Sequence, residues 1–135
     1  DEVIQKVAKK TGLPVVNLLN DEIYEHYVTG VDEFLWAVKH ASLMYTDSFH
    51  GAVFSILYRT PFVVCNRQGD AVTEKMGSRI DTLLELFCLE DRRGTKENGY
   101  VISSLNNPDW SNVDSVLERE RKRSADYFRR IFIRA

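Results

Sequence analysis

Between the apolar runs Leu43-Met44-Tyr45-Thr46 and Pro61-Phe62-Val63-Val64 stands the stretch Asp47-Ser48-Phe49-His50-Gly51-Ala52-Val53-Phe54. It sets a carboxylate, a hydroxyl and an imidazole close together. The surrounding pattern reads as strand, polar elbow, apolar helix, strand, and in open α/β sheets ligands bind beyond the carboxyl ends of the strands. Where a strand gives way to a helix, the N–H groups of the first turn and the positive end of the helix dipole suit a phosphate or a carboxylate. Ser48 adds a hydroxyl donor there, and Phe49 and Gly51 complete the turn. His50 is of the residue type that changes charge near neutral pH, so it can hold an anion or act as a general acid. The same spacing also suits a histidine that only serves the backbone at a helix start. Asp47 has the type and place of an N-cap or elbow brace.

Other chemistries fit less well. Residues two apart rarely point a nucleophile and its base at each other, and no GxSxG surrounds Ser48, so a Ser-x-His hydrolase is excluded. GxGxxG and Walker loops are missing as well. His26 and His40 have no metal-ligand spacing with any Cys or Asp pair, and neither a metal nor a cofactor is expected. Loop and surface roles suit both, and His40 falls near a helix C-terminus, where its charge is favourable. Two arginines can complete an anion site at the elbow. Arg67 follows a strand at its carboxyl end, and Arg79 opens a helix after a polar loop. For both, a surface or salt-bridge role is the alternative.

The elements that must position these residues follow from periodicity. Asp1 to Lys10 reads as an amphipathic helix with Val3, Ile4, Val7 and Ala8 on one face, ended by Thr11-Gly12. A short strand is expected over Val15 to Leu19, then a loop from Asn20 to Gly30. Val31-Asp32 opens a helix with Phe34, Leu35, Val38 and Ala41 inward, leading to a strand at Leu43 to Thr46. The helix from Gly51 to Tyr58 is apolar nearly all round, which calls for packing on more than one side. Arg59-Thr60-Pro61 breaks it before a strand at Phe62 to Cys65. A loop at Gln68 to Gly77 has the character of a lid, and Ser78-Arg79-Ile80-Asp81 resembles a capping box that starts a helix with Ile80, Leu83, Leu84 and Phe87 inward. Leu89 to Asn98 is charged and turn-rich, Tyr100 to Ile102 reads as a strand, and Asn107-Pro108-Asp109 as a turn. Ser111-Asn112-Val113-Asp114 caps a last long helix whose Val113, Val116, Leu117, Phe128, Ile131 and Phe132 follow the helical period, with a solvated charge run from Glu118 to Arg123. Helices alternating with short apolar strands predict an α/β, Rossmann-like, mostly parallel sheet flanked by helices.

With 135 residues, of which 44% are hydrophobic, the chain is long enough for one substantial core, and a single domain over 1–135 is expected. The net charge of −2 argues against general attraction to nucleic acid. Cys65 and Cys88 make no disulfide framework or CxxC site and read as two free, largely buried thiols of a reducing compartment. No run approaches the ~20 apolar residues of a membrane-spanning helix, which points to a cytoplasmic protein, peripheral to a membrane at most. The opening directly in helical periodicity, from Asp1 rather than Met, suggests a piece of a longer protein.

The segment Glu33-Phe34-Leu35-Trp36-Ala37-Val38-Lys39-His40-Ala41, followed by Thr46-Asp47-Ser48-Phe49-His50-Gly51 and by Phe54 to Phe62, resembles the C-terminal half of the polysaccharide pyruvyl transferase family. Ser78 to Leu84 and Leu89 to Arg92 look like its continuation, so the similarity runs from about Asp32 to Arg92. The resemblance implies the C-terminal half of a GT-B-like, two-domain enzyme with its active site between two Rossmann-like halves. It implies transfer of pyruvate from phosphoenolpyruvate to a sugar of a surface polysaccharide or its lipid-linked precursor, giving a ketal. The partners are then phosphoenolpyruvate, a saccharide acceptor and an N-terminal domain, with work done in the cytoplasm or at the inner face of the membrane. His50 matches the family's motif histidine. Many members carry Arg-Leu-His or Arg-Met-His where this chain has Ser48-Phe49-His50, and Arg67 or Arg79 stands in as the anion's cation. This half alone is expected to fold without turning over substrate. Two other readings share the elbow: a GT-B glycosyltransferase domain using a nucleotide sugar, and a non-catalytic carbohydrate-related interaction domain.

Overall fold

The computed structural model describes residues 2–18, 30–66, 73–95 and 107–132. Five α-helices are found there: α1 (Glu2–Thr11), α2 (Val31–His40), α3 (Phe49–Tyr58), α4 (Thr73–Phe87) and α5 (Trp110–Phe132). Three short strands, β1 (Met44–Thr46), β2 (Phe62–Cys65) and β3 (Arg93–Gly94), lie in the order β1-β2-β3. Both pairings are parallel, with Met44 opposite Phe62 and Val64 opposite Arg93. Parallel neighbours need a crossover connection, which α3 supplies between β1 and β2. The α/β class and the parallel sheet are therefore as the residue pattern predicts.

Central strand β2 is buried along its whole length. Its side chains alternate between faces, as pleating requires. Phe62 and Val64 join Ala52 and Ile56 of α3, Ile80 and Leu84 of α4, and Val113 of α5 in the main core. Val63 and Cys65 face the other way, with Leu43 and Tyr45 packed against them. Burial of a side chain like that of Phe62, which is fully enclosed, contributes ~1.5–3 kcal/mol.

Polar pins hold the layers in register. Thr60 donates its buried hydroxyl to the Val38 carbonyl at 2.8 Å, tying the end of α2 to the turn before β2. Arg59 grips Asp114 of α5 through two N–H groups, at 3.2 Å and 2.5 Å. Helix α2 starts at Gly30, whose N–H donates to the Glu33 carboxylate at 3.1 Å. At its other end His40 donates Nδ1–H to the Trp36 carbonyl at 2.7 Å and stacks on the Trp36 ring.

Three helices end in left-handed residues. Gly12 (φ +69°) closes α1, where the absence of a Cβ makes that conformation cheap. Arg59 and Cys88, both at φ 55°, close α3 and α4. At each, the next N–H reaches back into the helix: Thr60 to the Ser55 carbonyl, and Leu89 to the Leu84 carbonyl, both 2.9 Å. These are Schellman closures without the usual glycine. Cys88 is exposed and free, so Cys88→Gly is expected to raise stability by roughly 0.5–1 kcal/mol, removing left-handed strain while adding some freedom to the unfolded chain. A lower urea midpoint for the variant would contradict this.

Several expectations need correction. Val15 to Leu18 form no strand, and Val16 is 63% exposed. Pro14 removes a donor at the start of the run, and no described strand runs beside it. Leu19, the loop at 20–29 and the expected strand Tyr100 to Ile102 lie outside the described residues. Helix α4 begins at Thr73, five residues before the apparent capping box. Ser78 is thus interior, its carbonyl accepting from the Thr82 hydroxyl, and 73–77 are helix rather than lid. The charged stretch after Leu89 contains a 3-10 turn (Glu90–Arg92) and β3. Asp109 rather than Ser111 caps α5, accepting from the N–H groups of Ser111 and Asn112 at 3.1 and 3.2 Å. Val113 and Val116 are core, whereas Phe128, Ile131 and Phe132 are exposed. Finally, Cys65 is buried as expected, but Cys88 is not.

Candidate functional site

The elbow is built by Thr46. Its hydroxyl oxygen accepts the Ser48 N–H at 3.1 Å, turning the chain sharply off the end of β1. Ser48 is extended (φ −102°, ψ 131°) and caps α3, its hydroxyl accepting the Gly51 N–H at 3.4 Å. Helical bonding begins with Ala52 N–H to the Ser48 carbonyl, 3.1 Å. The N–H groups of Phe49 and His50, at the first two helical positions, have no acceptor inside the helix. They point where a bound anion would sit. Ser48 therefore uses its oxygen as a cap, while its O–H remains a donor.

Gly51 is demanded by space. A Cβ at this position would lie 2.5 Å from the Thr46 hydroxyl oxygen and 3.1 Å from its Cβ. The helix thus starts directly against the end of β1, and Ser55 reinforces it by donating to the Gly51 carbonyl at 2.8 Å.

Phe49 is half-buried against the main core and forms a platform. The exposed His50 ring meets it edge-on, 5.8 Å between centroids. From α4, the guanidinium of Arg79 lies 4.6 Å from the Phe49 ring centroid, a cation–π contact. Ser48, Phe49, His50, Gly51 and Arg79 are thus brought together at one edge. Arg67 lies outside the described residues. Among the described residues, no three His, Cys, Asp or Glu side chains are grouped as metal ligands.

Beside the elbow, at the carboxyl end of β2, stands a second polar group that periodicity did not single out. Arg93 donates to the Asn66 side-chain oxygen at 2.5 Å and pairs with Asp81 of α4 at 3.3 Å, its side chain only 13% exposed. This brace links β3, the end of β2 and α4, and so fixes the helix that carries Arg79. No local signal identifies it, because a two-residue strand has no period. Cys65 points its thiol at the Tyr45 hydroxyl, 3.6 Å away. Burial pushes this thiol up and the Asp47 charge adds to it, against the opposing effects of the Tyr45 hydrogen bond and Arg93. It stays protonated and is no nucleophile at neutral pH.

The arrangement combines two cationic-type side chains, helix N–H donors and a hydroxyl around an aromatic platform. Groups of these types can hold an anion. A family model described as polysaccharide pyruvyl transferase matches residues 1–69. The matched stretch, just over half of the 135 residues, holds the elbow, β1, α3 and β2, whereas Arg79 and Arg93 lie beyond it. No curated protein and no solved structure matches the chain.

Proposed function

Because the chain belongs to the polysaccharide pyruvyl transferase family, we propose that it is the donor-side domain of an enzyme transferring pyruvate from phosphoenolpyruvate to a saccharide acceptor. In this reading residues 1–135 are one Rossmann-like domain, the C-terminal half of a GT-B-like protein working in the cytoplasm on a polysaccharide or its lipid-linked precursor. The observation that carries it is the placing of Arg79 over Phe49, beside the exposed His50 and the start of α3. Many relatives have an arginine two residues before the motif histidine, where this chain has Ser48. Arg79 supplies a cation to the same place through space.

The chemistry follows from the donor. His50, as imidazolium, gives a proton to the methylene carbon of the enol, and the adjacent carbon becomes cationic. An acceptor hydroxyl adds to that carbon and phosphate leaves. A second hydroxyl then closes the ketal. Of the two hydroxyl protons, one restores His50 and the other leaves with phosphate. Arg79, the N–H groups of Phe49 and His50, and the Ser48 hydroxyl hold the phosphate and carboxylate. Arg67, following β2, is a further candidate for this cradle.

Calorimetry on the two-domain protein tests the assignment, with phosphoenolpyruvate and a panel of nucleotide sugars offered in turn. Arg79→Ala is expected to weaken phosphoenolpyruvate binding by roughly 10- to 100-fold, the worth of one hydrogen-bonded charge. Undiminished affinity would remove Arg79 from the site. Binding of a nucleotide sugar in place of phosphoenolpyruvate would make the protein a glycosyltransferase.

A further inference from the structure

Helix α5 leaves the body of the protein after its second turn. Val113 and Val116 are buried and Leu117 is half-buried, but from Glu118 to Phe132 no side chain is buried. At 1.5 Å per residue this free arm is ~20 Å long. Along the face that carries Val113, Val116 and Leu117, the helical period next presents Glu120 and Ser124, and only then Tyr127, Phe128 and Ile131. The outer apolar patch is thus separated from the core by a polar turn. It is an organised patch: the Phe128 ring lies 5.9 Å from Tyr127 edge-on and 6.0 Å from Phe132 in a stack. Their exposure runs from 48% at Ile131 to 71% at Phe132.

The charge around this patch is segregated from the rest of the molecule. Residues 119–132 hold six of the 18 Lys and Arg but only two of the 20 acidic residues. Arg119 and Arg123 share Glu120, and Arg129 pairs with Asp126. Arg121, Lys122 and Arg130 have no acidic partner among the described residues. Helical spacing sets Arg123 and Arg130 along one flank of the apolar patch, while Arg121, seven residues before Phe128, lies on the patch's own face. A stripe of aromatic and aliphatic side chains bordered by cations is the pattern of a helix lying in a membrane interface. Among the described residues no helix is long and apolar enough to cross a membrane.

We propose that the outer half of α5, residues 119–132, docks on an anionic lipid surface. Tyr127, Phe128, Ile131 and Phe132 enter the headgroup boundary while Arg121 and Arg130 pair with lipid phosphates. The net negative remainder of the chain is repelled by the same surface, so attachment is confined to this arm. The inference is independent of the reaction at the elbow.

Flotation of the full chain with vesicles tests it. Binding is expected to vesicles of equal phosphatidylcholine and phosphatidylglycerol, at least tenfold weaker binding to phosphatidylcholine alone, and weakening as salt shortens the screening length. Phe128→Ser/Ile131→Ser and Arg121→Glu/Arg130→Glu are each expected to cut binding at least tenfold without shifting the melting temperature, since these side chains touch no core. No flotation, equal flotation with both lipids, or unaltered binding by both variants would overturn the proposal. A lipid-independent dimer that the Phe128→Ser/Ile131→Ser variant dissolves would overturn it in favour of a second copy of the chain.

Discussion

Under the proposed function, His50→Ala is expected to lower kcat for pyruvyl transfer by roughly 10²- to 10⁴-fold, the usual range for a lost general acid. His50 sits at the second position of α3, exposed, with its ring edge against Phe49. The variant leaves Arg79, the Ser48 cap and the helix N–H groups in place. The binding of phosphoenolpyruvate is therefore expected to fall far less than kcat, and the melting temperature to hold. That split separates an acid from a mere ligand: a weakened donor affinity with kcat intact would demote His50 to anion binding. An unchanged kcat and affinity would leave it a helix-start residue with no part in the chemistry. Glutamine in its place keeps a hydrogen-bond donor without a titrating proton, so His50→Gln should recover affinity but not rate.

Gly51→Ala is expected to destabilise the fold by ~1–3 kcal/mol, the usual cost of forcing a methyl group into a packed site. Helix propensity alone predicts the opposite sign, a gain of up to ~1 kcal/mol. The contact decides, because the new Cβ would lie 2.5 Å from the Thr46 hydroxyl oxygen. Thr46 is β-branched and stiff at its first torsion. It also accepts the Ser48 N–H, so rotating it away releases the elbow. The remaining escape is to lift α3 off β1, which opens the contact of Ala52 and Ile56 with the core. Thermal or urea unfolding reads the effect. Adding Thr46→Ala to Gly51→Ala should return part of the loss, since removing the clashing partner couples the two sites. A Gly51→Ala variant as stable as the parent would mean that the close approach is absent in solution.

Legibility of this chain divided by how local the cause was. Strand β2 matched its expected limits at Phe62 and Cys65 because a short β-branched and aromatic run is closed on one side by Thr60-Pro61 and buried on both faces. The elbow stood where expected, but its cap did not: Ser48 rather than Asp47 is the N-cap, by its own side chain, and α3 starts at Phe49 rather than Gly51. Val15 and Val16 failed because an apolar run becomes a strand only beside another strand. Ser78 misled for a different reason: a capping pattern also occurs by chance in a helix interior, and the true start of α4 at Thr73 lies upstream. Strand β3 was invisible, as Arg93 and Gly94 are strand only through pairing with Val64 and Cys65. Arg79 was legible as a candidate, but its seat over Phe49 depends on the brace of Arg93 with Asp81. The outer half of α5 kept the helical period without the burial that such a period ordinarily means.

The position of β2 has a further consequence, visible on the timescale of amide exchange. A strand paired on both sides and enclosed on both faces gives up its protons only when the whole molecule opens. Its amides therefore report global stability, and the floor under the elbow shares that fate. Only the very start of α3 escapes that protection, with His50 exposed and the N–H groups of Phe49 and His50 without helical acceptors, so breathing at the site belongs to those residues. A ligand that settles between Ser48 and Arg79 would slow exchange at the start of α3 and leave β2, already at its limit, to follow only the gain in overall stability.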